Sequence, residues 1–322
     1  MAARVEASLP ELIELPKVTV SDLDPLLAEE IVAWEQRFAW DFRPSAELLR
    51  RFLQIHSLYG FAMVFGGRII GYAYQVCEGR KGLIGDFYVL REFARSSNEM
   101  LLLSAIVGAL MRTPGTRRIE SQLMMIHTPV AQPLPFAEHL TRHDRFFMTI
   151  DAADAGRLTP APPDFRVTFF PWTERYQEEI AHLVAAAYRG HVDSDINDQY
   201  RTIPGARHFL MNIIKFPGCG NFFPAASVVG IDESSGRVCG VCLASMVSPT
   251  SGHVTQLCVL PAARKARLGY ELLRQCLLRL IQAGCLSVSL TVTCTNVDAI
   301  RLYESIGFRT QTTFPALVWD GF

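Results

Sequence analysis

The 322-residue chain lacks an excess of charge of either sign: 31 Lys and Arg stand against 32 Asp and Glu, a net charge of −1. That balance gives no overall electrostatic case for nucleic acid, whose binding rests on neutralising many phosphates. Long apolar runs are missing too. None reaches the roughly 18 residues that a membrane-spanning helix needs, and an N-terminus carrying Glu6, Glu11 and Glu14 is unlike a secretory signal. The eight cysteines are scattered, so reduced thiols in a cytoplasmic protein are expected rather than a disulfide frame. Cys239-Gly-Val-Cys242 is a lone C-x-x-C in a strand-like run with no second pair, and no metal is expected. What is present, 49% hydrophobic and 20% charged residues, is the composition of a folded soluble protein. The length suits about two domains.

The most informative stretch runs from His253 to Phe308. His253 to Leu260 is dense in apolar residues and reads as a buried strand that Pro261 ends. The basic turn Arg264-Lys265-Ala266-Arg267-Leu268-Gly269 follows and leads from Tyr270 into a helix, with Gly284 placed to cap its C-terminus. A basic turn at a helix N-terminus suits an anion, because the first amides have no internal partner and the dipole is positive there. The strand Leu286 to Val292 alternates apolar and polar residues. After it comes Asn-Val-Asp-Ala-Ile-Arg-Leu-Tyr-Glu-Ser-Ile-Gly-Phe, from Asn296 to Phe308. Asn296 can cap the helix that follows. Tyr303 lies two turns on, along the same face. Gly307 can adopt a left-handed cap.

This spacing resembles the GNAT-family N-acetyltransferases. Their second signature, N-x-x-A-x-x-L-Y-x-x-x-G-F, is matched at Asn296, Ala299, Leu302, Tyr303, Gly307 and Phe308. Their acyl-CoA turn, Q/R-x-x-G-x-G/A after V-x-P, is matched at Val259, Pro261, Arg264 and Gly269, but Arg267 stands where the family usually has glycine. The resemblance implies an α+β fold of α/β/α layers, with mixed, mostly antiparallel sheets flanked by helices. It also implies acetyl-CoA as co-substrate, held by the Leu257-Cys258-Val259 strand, by residues 264–270 and by Asn296 and Tyr303.

The order of strands and helices before residue 150 recurs after residue 165, with Val89 and Val259 at equivalent points, so an internal repeat is expected. The first half is read as a strand Lys17–Val20, helices capped near Ser21 and after Pro44, a Gly66-Gly67 hairpin, and a strand Leu83–Leu90. A helix capped by Ser96-Ser97-Asn98-Glu99, a strand Arg118–Ile126 and a closing strand Phe146–Ile150 complete it. The Pro-rich stretch 151–164 reads as the linker between a degenerate domain, 1–150, and a catalytic domain, 165–322. Two tandem GNAT-like acyl-CoA N-acyltransferase domains are thus expected. The first half has no glycine in its turn after Val89 and no Asn…Tyr spacing. Instead it carries Pro129, Pro133 and Pro135, which disfavour a helix.

Acetyl transfer to an amine by direct attack needs a neutral amine, a stabilised oxyanion and an acid for the leaving thiolate. The resemblance places Tyr303 beside the sulfur as that acid and gives the oxyanion a backbone amide of residues 257–259. Cys258, between Leu257 and Val259, reads as a buried thiol rather than a nucleophile. Where many relatives carry a glutamate base, Thr255 and Gln256 stand here; His253 is close and its ordinary pKa of about 6.5 suits a base, with a surface or hydrogen-bonded histidine as the alternative. Three aspartates cluster within residues 189–200, between the first two helices expected in the second half, Glu174–Tyr188 and Gly205–Phe216. Of these, Asp193 and Asp195, with Tyr200, are candidates to hold a cationic amine, and caps in a solvated loop are the alternative. The expected partners are acetyl-CoA and an amine of a small molecule or peptide, without nucleic acid or membrane, in a monomer or homodimer. A non-catalytic acyl-CoA or metabolite sensor on the same fold is the rival, because of Arg267 and the missing carboxylate.

Overall fold

The computed structural model describes residues 9–127, 133–216 and 218–322. Glu6 and Pro129 lie outside the described residues. In chain order the first elements are β1 (Glu11–Glu14), α1 (Val20–Phe38), α2 (Arg43–Gln54), β2 (Tyr59–Phe65), β3 (Arg68–Glu78), β4 (Lys81–Val89), α3 (Ser96–Arg112), β5 (Arg118–Gln122) and β6 (Leu140–Asp151). Then come the short α4 (Ala152–Ala155), β7 (Val167–Pro171), α5 (Gln177–Ala187), α6 (Asp193–Ile196), α7 (Ile203–Lys215), the two-residue β8 (Asn221–Phe222), β9 (Val228–Asp232) and β10 (Arg237–Ser248). The chain ends with β11 (Ser251–Val259), α8 (Leu268–Gln282), β12 (Ser287–Thr293), α9 (Val297–Ile306) and β13 (Arg309–Asp320).

The fold is that of tandem mixed, mostly antiparallel sheets flanked by helices, but its two compact units are not the halves on either side of the linker. One unit holds the chain before Phe38, Phe42–Arg142 and Phe314–Phe322; the other holds Phe38–Asp41 and His143–Thr313. The closing strands are exchanged. Residues 145–151 of β6, expected to finish the first domain, pair antiparallel with β12 in the second unit. Residues 316–320, at the end of β13, pair with β5 in the first. An alternating strand presents the same apolar face whichever sheet it joins, so its own residues do not say where it goes.

In the first unit, β1–β5 run in order, with β4 and β5 parallel and the other pairs antiparallel. Lys17–Val20 is not a strand. The Thr19 hydroxyl donates to the Asp22 carboxylate at 2.6 Å and receives the Asp22 amide at 3.3 Å, so Thr19 caps α1 and Val20 opens it. Ser96 is the first helical residue of α3 rather than its cap. Gly66 and Gly67, both at positive φ, make the expected tight hairpin turn.

In the second unit the order is β7-β9-β10-β11-β12-β6, with β8 also on β10. Only β11 and β12 are parallel. One face of this sheet packs against α8 and α9 through Leu268, Leu272, Cys276, Leu280 and Ile306. The other packs against α5 and α7 through Ile180, Leu183, Val184 and Leu210. The expected three layers result. Trp40, from the segment assigned to this unit, sets its indole edge-on to the His253 ring at 4.9 Å.

The repeat is visible in the hydrogen-bond register. The spacing that separates Val89 from Val259 also separates Gly85 from Thr255, and each of these is a bulged residue facing no partner in the adjacent strand. It separates Ile84 from Val254 as well, the last residues of β4 and β11 that pair with β5 and β12.

Candidate active site

Beyond Val254 and Leu290, β11 and β12 part. Leu257, Cys258 and Val259 keep their antiparallel bonds to β10, while Thr291, Val292 and Thr293 pair with β6. The β11 edge facing β12 therefore has no ladder there, which leaves peptide groups open to a ligand. Leu257 and Val259 pack on the side of α8 and α9, the side that carries Tyr303; Cys258 points the other way, toward α5. Burial pushes the Cys258 thiol well above its ordinary range, so it is a packing thiol.

At the end of β11 the chain turns into α8. Lys265 and Arg267 both lie in the left-handed region at φ 61°. The first intrahelical bond is made by the Glu271 amide to the Arg267 carbonyl, at 3.1 Å, so the amides of Leu268, Gly269 and Tyr270 precede the ladder. Left-handed residues beside a helix N-terminus form an anion-binding concavity. The Arg267 conformation explains the family's preference for glycine at this position: a non-glycine residue there costs about 1 kcal/mol. The Arg267 guanidinium does not fill the mouth of the helix. It is mostly exposed and forms an ion pair with Asp164. Arg264 donates to the Ala187 carbonyl at 2.7 Å, so its guanidinium pins the turn to the end of α5. Lys265 is exposed, and the Tyr270 hydroxyl donates to the Thr159 carbonyl at 2.9 Å. A β-carbon at Gly269 would meet Leu302 at 3.5 Å, an ordinary contact that alanine also satisfies.

Asn296 caps α9 as expected, accepting the Ala299 amide at 3.4 Å, and Gly307 ends the helix at φ 108°. Between them, Tyr303 is 9% exposed. Burial first, then the nearby Cys242 and Asp193, hold its phenol firmly protonated, while Arg145 acts in the opposite sense. Its hydroxyl has no hydrogen-bond partner among the described residues.

The structure separates the remaining candidates. His253 is 3% exposed, within the paired part of β11, and its Nδ1 lies 2.9 Å from the Ser289 hydroxyl. Burial, with the charge of Arg145 second, pushes its pKa down to about 3. An enclosed and weakly basic imidazole is a packing group, which corrects the expectation of a base at His253. Gln256 donates its carboxamide to the Tyr188 hydroxyl, and the Tyr188 ring stacks on Tyr200 at 4.4 Å. The charge of Asp193 bears on the phenols of Tyr200 and Tyr303, whereas Asp195, mostly exposed, pairs with Arg201 at 3.1 Å. Thr293, the last residue of β12, donates to Asp193 at 2.5 Å. Arg145, from the exchanged strand β6, was missed in the sequence; nothing in its neighbourhood marks it.

A cleft of about 570 Å³ lies on the linker side of α8, walled by Pro160, Pro162, Pro163 and Phe165 and not by Tyr303. Cys239 and Cys242 are buried in β10, and no cluster with metal-ligand composition occurs among the described residues.

The fold is that of the GNAT proteins in tandem form. The Acetyltransferase (GNAT) family model matches residues 196–308, the segment holding the α8 turn, Asn296 and Tyr303. The whole chain has the fold of tandem GNAT proteins. It is similar to a GCN5-related N-acetyltransferase from Sphaerobacter thermophilus, at 17% identity and a TM-score of 0.67 over 97% of each chain. It is similar to a tandem GNAT protein from the clavulanic acid biosynthesis pathway, at 13% identity and 0.64 over 97% of this chain and 98% of that one. No curated protein sequence matches the chain.

Proposed function

We propose that the protein is an acetyl-CoA-dependent N-acetyltransferase whose second unit carries the reaction. The observation behind this reading is the parting of β11 from β12 between the mouth of α8 and Tyr303. The diphosphate of acetyl-CoA is held by amides at the start of α8, with Lys265 adding charge. The pantetheine arm lies along the open edge of Leu257–Val259, and an amide there receives the oxyanion. Asn296 and Gly269 shape the turns beside it. An amine arriving near Asp193 and Tyr200 attacks the thioester, and Tyr303 gives its proton to the leaving sulfur. The charge of Arg145 eases that proton's departure.

The first unit is the structural partner in this reading. Only Ala94 and Arg95 separate its turn Arg91–Phe93 from α3, whereas Arg264 to Arg267 separate Pro261–Ala263 from α8. The Glu99 carboxylate, 1% exposed, sits in the first turns of α3 and accepts the His127 amide at 2.8 Å. A buried acid there opposes a diphosphate. The eight cysteines are unbridged, which supports a reducing compartment such as the cytoplasm.

The test is a free-thiol assay with acetyl-CoA and a panel of amines, run beside calorimetric binding of acetyl-CoA. Thiol release that depends on the amine is expected. One specific observation favours the sensor reading: β11 carries no carboxylate, and Gln256 is already engaged by Tyr188. Tight acetyl-CoA binding with no thiol release from any amine would establish the sensor instead.

A further inference from the structure

The acetyltransferase reading leaves the proton of the attacking amine without an acceptor on β11. Thr255 and Gln256 carry no basic group, and His253 is sealed behind Ser289 and Trp40. One carboxylate does come to the open part of the site. Asp193 opens α6, and its Oδ1 accepts the Thr293 hydroxyl at 2.5 Å. Thr293 is 1% exposed and stands at the tip of β12, past the point where that strand leaves β11. The His191 Nδ1 accepts the Asp193 amide at 3.1 Å and lies 3.7 Å from the second carboxylate oxygen. The Asp193 side chain keeps 13% of its surface. Its charge bears on the phenols of Tyr303, Tyr200 and Tyr188, and Arg145 bears on the first two. The loop after α5 and the end of β12 thus meet at one carboxylate, whose charge bears on the phenol in the middle of α9.

We propose that Asp193 is the base that takes the proton from the attacking amine, with Thr293 as the positioning residue for its carboxylate. This rests on the acetyltransferase reading. A bound alkylammonium first gives one N–H proton to Asp193, which releases it to solvent; the neutral nitrogen then forms its bond to the thioester carbon as the carbonyl pair moves to oxygen. When the C–S bond breaks, Tyr303 protonates the sulfur. The second N–H proton leaves through water to the Tyr303 oxygen, so ammonium and acetyl-CoA become amide, free thiol and one solvent proton with both side chains restored.

Asp193→Asn keeps an oxygen for Thr293 and removes the basicity, which makes it a clean variant. The probes are the alkylamine that the wild type acetylates fastest and hydroxylamine, which is neutral at pH 7.5. Asp193→Asn is expected to lower kcat for the alkylamine about 100-fold, with hydroxylamine turnover reduced less than about threefold. Thr293→Val is expected to lose about tenfold in kcat for the alkylamine and Thr293→Ser to recover it. Equal losses with both probes would assign Asp193 a structural role and overturn the proposal. A rise in KM with kcat unchanged would make it an ammonium anchor only, and also overturn it. An unchanged variant beside an active wild type sinks this proposal alone, whereas a wild type inert toward every amine sinks the acetyltransferase reading and this proposal with it.

Discussion

At the scale of single residues, the Asn296–Phe308 motif was legible because helix caps and faces are set by spacing along a few turns. Arg267 needed the structure. Its left-handed backbone and its pair with Asp164 show that an arginine can occupy the glycine position without blocking the mouth of the helix. Arg267→Gly removes a strain of about 1 kcal/mol and an exposed ion pair worth no more than about 1 kcal/mol. Acetyl-CoA affinity by calorimetry is therefore expected to stay within about threefold, and a tenfold loss would mean that the guanidinium itself grips phosphate. For His253 the sequence left open a base or a hydrogen-bonded packing group, because a histidine in a strand gives no sign of what covers it; the structure has it buried and bonded to Ser289. Its pKa is depressed to about 3, so the unfolded chain binds a proton that the folded chain refuses. Its contribution to stability is present above the ordinary histidine range and is lost as pH falls from about 6.5 toward 3. Chemical denaturation between pH 6 and 4 should show His253→Gln losing stability less steeply than wild type, by up to about 1.4 kcal/mol per pH unit.

At the scale of elements, strands and helices with clear periodicity fell largely where the sequence put them, and the errors came at caps and in short segments: β1 was not read, and the strand expected over Arg118–Ile126 ends at Gln122. Lys17–Val20 looked like a strand because four residues carry too little pattern to outweigh a Thr-x-x-Asp cap. What α1 packs against was also invisible in sequence. It carries Glu30, 0% exposed, whose carboxyl meets Tyr72 at 3.0 Å and Trp34 at 3.2 Å, with Asp86 of β4 beside it. Burial, then the neighbouring Asp86, holds the Glu30 pKa well above the carboxylate range, and the phenols of Tyr72, Tyr74 and Tyr88 also face this acid. A raised carboxyl pKa gives stability at low pH that is lost as pH climbs through the folded value. Glu30→Gln, which supplies a permanent donor to Asp86, is expected to raise the melting temperature by a few degrees at pH 8 and leave it unchanged at pH 4.5. Equal destabilisation at both pH values would show that the acid is ionised in the native protein.

At the scale of the molecule, the repeat was legible from element order, but the exchange of closing strands was not, because pairing between distant segments leaves no local trace. The exchange has a direct consequence. A fragment of residues 165–322 lacks 143–151, which cover the edge of β12, and lacks Phe38–Asp41 as well. It is expected to be insoluble or to lack a cooperative thermal transition, and a sharp transition in that fragment would show that the exchanged strand is dispensable. With the whole chain intact, the account predicts one acetyl-CoA site, at α8, served by one phenol. The most direct test is Tyr303→Phe in the full-length protein, with thiol release and acetyl-CoA binding measured on the same preparation. The account predicts kcat lowered about 100-fold with the dissociation constant within about twofold of wild type. Unchanged kcat would contradict it, whatever the binding.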